Sequence, residues 1–179
     1  MTVLTKIETP LGTVIASSDG QSLTGLWFEG QKYECSFVED PVLDDSLPLW
    51  KNVKHALEEY FQGVGDVAPA VPIAFVGGTA FQKAVWDVLT EIPYQTVWTY
   101  KDVAERIGEK LGRKTSSRAV GTAIGRNPIS LFVPCHRVVA TTGALTGYAG
   151  GVERKRALLT LEGHSVVKDR VMKGERHEA

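Results

Sequence analysis

Residues 99–125, TYKDVAERIGEKLGRKTSSRAVGTAIG, decide the fold. Thr99 followed three residues later by Asp102 has a spacing close to a capping box, which opens a helix with Val103, Ala104 and Ile107 as its buried face. A polar connection rich in Gly, Lys and Arg follows. Ser116 and Ser117 then offer caps for a short helix through Ala119, Val120, Ala123 and Ile124, closed by Gly125. Two short helices joined by a turn, with basic residues at the start of the second, predict a helix-turn-helix.

Working outward, Phe81, Ala84, Val85, Val88, Leu89 and Ile92 keep the helical rhythm until Pro93 stops it. Upstream of Gly77-Gly78 the pattern changes. Val3–Glu8, Thr13–Ser17 and Leu23–Phe28, separated by Pro10-Leu11-Gly12 and Asp19-Gly20, predict a strand meander. Leu49, Val53, Leu57 and Phe61 predict a helix over 46–61 ended by Gly63 and Gly65, and Pro72–Val76 a further strand. The expected fold is mixed α/β (α+β). A strand-rich domain over 1–77 precedes a mainly helical domain over 78–163 with a winged-helix-like helix-turn-helix, and a polar tail occupies 164–179.

Length 179 allows one domain or two small ones, and no apolar run approaches the roughly 18 residues of a membrane span. Met1–Pro10 has no apolar core of a secretory signal, so a cytoplasmic protein without membrane association is expected. Cys35 and Cys135 form no C-x-x-C pair, and a disulfide between them is not expected in a reducing compartment. The net charge of −1 conceals an asymmetry: residues 1–78 carry four Lys/Arg against eleven Asp/Glu, residues 79–179 sixteen against ten, hence −7 and +6. A basic C-terminal half suits a polyanion such as nucleic acid.

Pro134-Cys135-His136-Arg137-Val138-Val139 follows the apolar run Ile129–Val133, which reads as a buried strand delivering a thiol at its end. His136 would lower the thiol's pKa if its ring reached the sulfur through a water, giving a thiolate at neutral pH. Adjacent side chains in extended backbone point opposite ways, and a lone cysteine is more often an inert buried thiol.

Taken in order, Gly78-Thr79-Ala80-Phe81-Gln82, Val85-Trp86, Tyr100, Ser117-Arg118-Ala119-Val120-Gly121, Asn127-Pro128, Pro134-Cys135-His136-Arg137-Val138, Gly147-Tyr148-Ala149-Gly150-Gly151 and Leu161-Glu162-Gly163 form a series that chance does not produce. Across 78–163 the chain resembles the O6-alkylguanine-DNA alkyltransferases, or methylated-DNA–protein-cysteine methyltransferases. That resemblance implies a repair protein that flips an alkylated guanine out of duplex DNA and takes the alkyl group irreversibly onto its own cysteine. O4-alkylthymine would be a second substrate.

The resemblance implies roles residue by residue. Cys135 is the nucleophile, and His136 with Glu162 the water-linked pair that draws its proton. Tyr100 donates toward the departing guanine. The carbonyls of Cys135 and Val138 accept from the base's exocyclic amine, the Ala149 backbone N–H donates to O6, and Tyr148 walls the alkyl pocket. Arg118 fills the gap left by the flipped nucleotide, while small Ser117, Ala119, Gly121 and Ala123 suit a helix lying in the minor groove. Asn127 ties that helix to the active-site segment. The expected partner is double-stranded DNA with alkylated bases, bound by a monomer with no cofactor and no metal.

Some positions depart from the family pattern. Gln95 stands where many relatives have Gly, Ser130 and Ala149 where some have Pro and Ser, and residues 108–114 lengthen the link between the two helices of the motif. His55, His164 and His177 with Cys35 form no zinc-like spacing. Two other classes remain open at this stage. A non-catalytic alkyltransferase-like damage sensor would lack the reactive cysteine, and a cysteine hydrolase would need an oxyanion-hole pattern that is not seen.

Overall fold

The computed structural model describes residues 1–67 and 70–172, in two compact units. The first comprises Met1–Gly78 together with Pro128–Phe132; the second comprises Thr79–Asn127 and the chain from Val133 onward.

In the first unit, β1 (Thr2–Thr9), β2 (Gly12–Ser18) and β3 (Leu23–Phe28) form the expected antiparallel meander. Its turns are built as the sequence dictates. Gly12 takes φ 119°, and the Asp19 carboxylate accepts the N–H groups of Gln21 (3.0 Å) and Ser22 (2.8 Å) before Gly20 at φ 103°. β4 (Pro41–Leu43) adds in parallel to β1, giving the order β3-β2-β1-β4. The helix α1 (Leu49–Phe61) buries Trp50, Val53, Ala56, Leu57 and Tyr60. Its buried face is thus rotated from the expected one, because Leu49 and Phe61 are only half-buried. Two segments that read as strands contribute single parallel bridges instead. Ile73 pairs with Leu23, and Ile129 with Leu26, whose N–H donates to Pro128 (2.8 Å). After Ile129 the backbone turns sharply, with Leu131 at φ 71°, so no strand runs on to Val133.

In the second unit, α2 (Ala80–Leu89) opens on a full capping box between Thr79 and Gln82. A two-residue strand β5 (Trp98–Thr99) leads into α3 (Tyr100–Leu111), which has the expected Thr99–Asp102 box and a left-handed Gly112 at its end. α4 (Ser117–Ile124) is capped by Ser116, whose hydroxyl accepts the Ala119 N–H at 3.0 Å. These three helices enclose Val85, Trp86, Val88, Leu89, Val103, Ile107, Val120 and Ile124. The fully buried Trp86 indole donates to the Ala123 carbonyl (2.9 Å), pinning α2 to α4.

A 3-10 turn at Cys135–Arg137 precedes β6 (Val138–Val139), parallel to β5. α5 (Val152–Leu161) follows, and β7 (Val166–Val167) pairs with β8 (Arg170–Val171). Val97, Val139, Leu145, Leu159 and Val171 form the core beneath them. The hairpin therefore occupies part of the stretch read as a polar tail, and 173–179 lie outside the described residues.

Candidate active site

Cys135 is set by its neighbours in the chain. α4 ends one turn before Asn127, whose buried side-chain amide donates to the Val133 carbonyl at 2.8 Å. Pro134 fixes the next φ, and Cys135 opens the 3-10 turn with its own N–H on Val133 (2.8 Å). The thiol is therefore presented by a turn and not by the end of a strand. Only 6% of Cys135 is exposed. Burial pushes its pKa up, against the opposing pull of the Asn127 side chain, the Lys155 charge and the backbone N–H groups of Cys135 and His136. Burial thus favours the protonated form of the thiol, while those neighbouring groups favour its ionisation.

His136 is wholly buried, with Nε2 2.6 Å from Glu162 Oε2. Glu162 follows the last residue of α5 and is 1% exposed. Arg137 grips the same carboxylate with Nε on Oε1 (2.7 Å) and Nη2 on Oε2 (3.3 Å), while its Nη1 donates to the Ile92 carbonyl (3.1 Å). The Gln95 N–H adds a long contact of 3.4 Å to Oε1. Burial alone would raise the carboxyl's pKa, but the charges and hydrogen bonds of His136 and Arg137 reverse this and hold it far below its usual range. An ionised Glu162 assigns the proton of a neutral His136 to Nε2 and leaves Nδ1 as the basic nitrogen.

Gln95 has a local explanation. It stands at φ 66°, the left-handed region where glycine is the unstrained choice, and its N–H is thereby turned to Glu162. A glycine would fit the same turn without strain.

Lys155, like Arg137, is a residue whose part in the site sequence reasoning missed. It is wholly buried on α5, with Nζ donating to the carbonyls of Val138 (2.6 Å) and Thr146 (3.0 Å) and standing 5.9 Å from the centre of the Tyr100 ring. Burial lowers its pKa to about 8, and Cys135 pulls the other way. At neutral pH it remains mostly charged. Changing Lys155 to Met is expected to move the pH–rate profile of alkyl transfer to higher pH and to slow transfer at pH 7 by roughly tenfold. Each unit added to the thiol's pKa removes about a factor of ten in thiolate. A profile superimposable on the parent's would exclude this electrostatic role. Both missed residues carried a signal. Arg137 sits among apolar neighbours between Val133 and Val139, and Lys155 lies three and four residues before Leu158 and Leu159 on one helical face.

Tyr100 heads α3, half-buried, and its hydroxyl donates to the Thr146 carbonyl (2.9 Å). Burial raises its pKa, and Cys135 adds to this, so the phenol keeps its proton and stays a donor. The carbonyl of Cys135 accepts the Val138 N–H, and that of Val138 accepts Lys155; each retains a second lone pair. Tyr148 is buried and Ala149 half-buried in the loop after Thr146, between Gly147 (φ 50°) and Gly151 (φ 93°). On α4, Ser117, Arg118 and Ala119 are exposed. Gly121 is half-buried, and a Cβ there would lie 3.7 Å from the Tyr100 ring. The turn, α5 and the head of α3 thus bring Cys135, His136, Glu162, Asn127, Val138 and Tyr100 into one unit.

Residues 80–164 match the model of the 6-O-methylguanine DNA methyltransferase DNA binding domain, and residues 2–75 that of the ribonuclease-like domain of the same enzymes. A methylated-DNA–protein-cysteine methyltransferase of Haemophilus influenzae is 40% identical over 160 residues, covering 88% of this chain and 84% of that protein. The crystal structure of Mycobacterium tuberculosis OGT in complex with DNA matches with a TM-score of 0.78 at 36% identity, covering 89% and 92% of the two chains. An O6-methylguanine DNA methyltransferase of Methanococcus jannaschii matches at 0.62 and 27% identity, covering 92% and 96%.

Proposed function

The chain belongs to the methylated-DNA–protein-cysteine methyltransferases, and from that premise we propose that Cys135 is the acceptor to which it moves an alkyl group from O6 of a guanine flipped out of duplex DNA. It is a DNA-binding repair protein of the transferase class. One observation carries the assignment of Cys135: a buried thiol immediately followed by a histidine locked to an ionised carboxylate, with a buried lysine charge beside it.

The chemistry runs as follows. Nδ1 of His136 takes the thiol proton through a water, and Glu162 stabilises the imidazolium. The thiolate attacks the alkyl carbon. As the S–C bond forms, the C–O6 bond breaks and its electron pair passes to guanine, toward which Tyr100 donates a hydrogen bond; the proton that left the thiol returns from the His136 imidazolium, through water, to the guanine anion. The free lone pairs of the Cys135 and Val138 carbonyls accept from the exocyclic amine, the Ala149 N–H donates to O6, and Tyr148 closes the pocket. The products are S-alkylcysteine and unmodified guanine. No thiol or water reverses a thioether, so the reaction ends after one turn; O4-alkylthymine can follow the same path.

On α4, exposed Arg118 fills the vacated place in the stack, with Ser117, Ala119 and Gly121 against the minor groove and Asn127 linking the helix to the site. In this reading residues 78–163 are the working domain and 1–77 its companion. All proposed groups come from one chain, which suits a monomer, and a free thiol nucleophile suits the reducing cytoplasm. Among the described residues no helix is long and apolar enough to cross a membrane.

Arg118→Ala separates base extrusion from sulfur chemistry. Repair of an O6-methylguanine duplex is expected to slow by roughly tenfold to a hundredfold, the scale of losing part of a few kcal/mol of flipping energy. Reaction with free O6-benzylguanine should keep its rate. Equal slowing on both substrates would remove Arg118 from the DNA step.

A further inference from the structure

We propose that Arg113 and Lys114, on the turn between α3 and α4, grip the phosphate backbone of the duplex just outside the stretch that α4 covers. The proposal rests on the reading of α4 as the DNA-facing helix.

The lengthened link gives α3 its last turn and then reverses it. Gly112 at φ 68° folds the chain back so that the Arg113 N–H reaches the Gly108 carbonyl at 3.1 Å. The fit is tight: a Cβ at Gly108 would lie 3.1 Å from the Arg113 carbonyl oxygen. Thus held, Arg113 places its guanidinium 6.0 Å from the centre of the Phe81 ring at the start of α2. Phe81 shares one groove with Ser116 and Arg118. Arg113, Lys114 and Ser117 line the next, of about 570 Å³. Since Ser116 and Ser117 are consecutive, Lys114, Arg113 and Arg118 form one basic strip running onto α4.

Charge pairing leaves this strip open beside a helix whose cations are paired. The cations of α3 are already engaged: Lys101 with Glu105 (4.0 Å), Arg106 with Glu91 (2.9 Å) and Glu109 (3.2 Å), and Lys110 with Glu91 (2.5 Å). The acids bordering the groove, Glu105 and Glu109, are the partners in those pairs. Arg113, Lys114 and Arg118 enter no ion pair among the described residues, and all are exposed. A guanidinium laid against an aromatic ring keeps its edge free for a phosphate, and Lys114 supplies a point charge beside it. Such contacts fix position on the duplex without reading sequence.

The test is the salt dependence of binding of the full chain to an unmodified duplex. Two lost phosphate contacts, at about 0.9 each, should lower the slope of log affinity against log salt by about 1.8 in R113Q/K114Q. R113K/K114R should keep the parent slope, and so should K51Q/K54Q, which removes the same charge from α1. Reaction with free O6-benzylguanine should be unchanged in all of them. A parent slope in R113Q/K114Q, or an equal loss in K51Q/K54Q, would overturn the proposal while leaving α4 as the DNA face. A parent chain whose binding ignores salt would overturn both.

Discussion

Glu162→Gln is expected to destabilise the fold at pH 7 by about 3–5 kcal/mol, because it removes the anion that the buried Arg137 guanidinium is paired with and that accepts from His136. The Arg137 side chain is 1% exposed, and its remaining partner named above, the Ile92 carbonyl, cannot neutralise it. The pH dependence follows from the direction of the shift. Glu162 has a folded pKa depressed below the ordinary 4.5, so the folded state binds fewer protons than the unfolded chain in that window. Its stabilisation is fully present above about 4.5 and is lost as pH falls toward the folded value. The gap between parent and variant in urea unfolding should therefore be widest at neutral pH and narrow on acidification below 4.5. Transfer should also slow, by roughly 10² or more, with the imidazolium no longer stabilised. A variant as stable as the parent at pH 7 would contradict this account of the carboxylate.

Cys135→Ser is expected to abolish transfer outright. The burial that already raises the thiol's pKa raises an alcohol's as well, and serine begins far less ionised. The serine fits the same space at the head of the turn, so the His136–Glu162–Arg137 set should persist. Duplex binding should persist too, because exposed α4 does not depend on the sulfur. Loss of DNA binding alongside transfer would point to a structural role for the thiol.

Much of this fold is written locally. The Thr99–Asp102 spacing, Ser116, and the turn glycines at 12 and 20 each satisfy backbone groups within a few residues, so the elements they bound were legible. The face of α1 was misjudged for a geometric reason. Four-residue steps drift about 40° each, so Leu49 and Phe61 cannot share one face, and Trp50 and Tyr60 take the buried positions. Ile129–Val133 is apolar because it is buried, and a short apolar run does not reveal its backbone; Leu131 at positive φ breaks it. β4 depends on pairing with a strand nearly forty residues earlier.

In the site, the motif pointed to Cys135, His136 and Glu162, and the fold joins the last two. Arg137 and Lys155 drew no role from the sequence, since the partners that allow their burial, Glu162 and two loop carbonyls, converge only in three dimensions. Their presence changes the account of the thiol. Burial favours the protonated thiol, and the site already holds the charges and N–H groups that favour its ionisation.

The most direct test of alkyl transfer to Cys135 is intact-mass analysis after mixing the protein with excess O6-methylguanine duplex, followed by peptide mapping. The expected result is a gain of one methyl group per chain, on the peptide containing Pro134-Cys135-His136, with guanine restored in equal amount and no further turnover. Repair beyond one equivalent, or a methyl group found on Cys35 or on no cysteine at all, would contradict it.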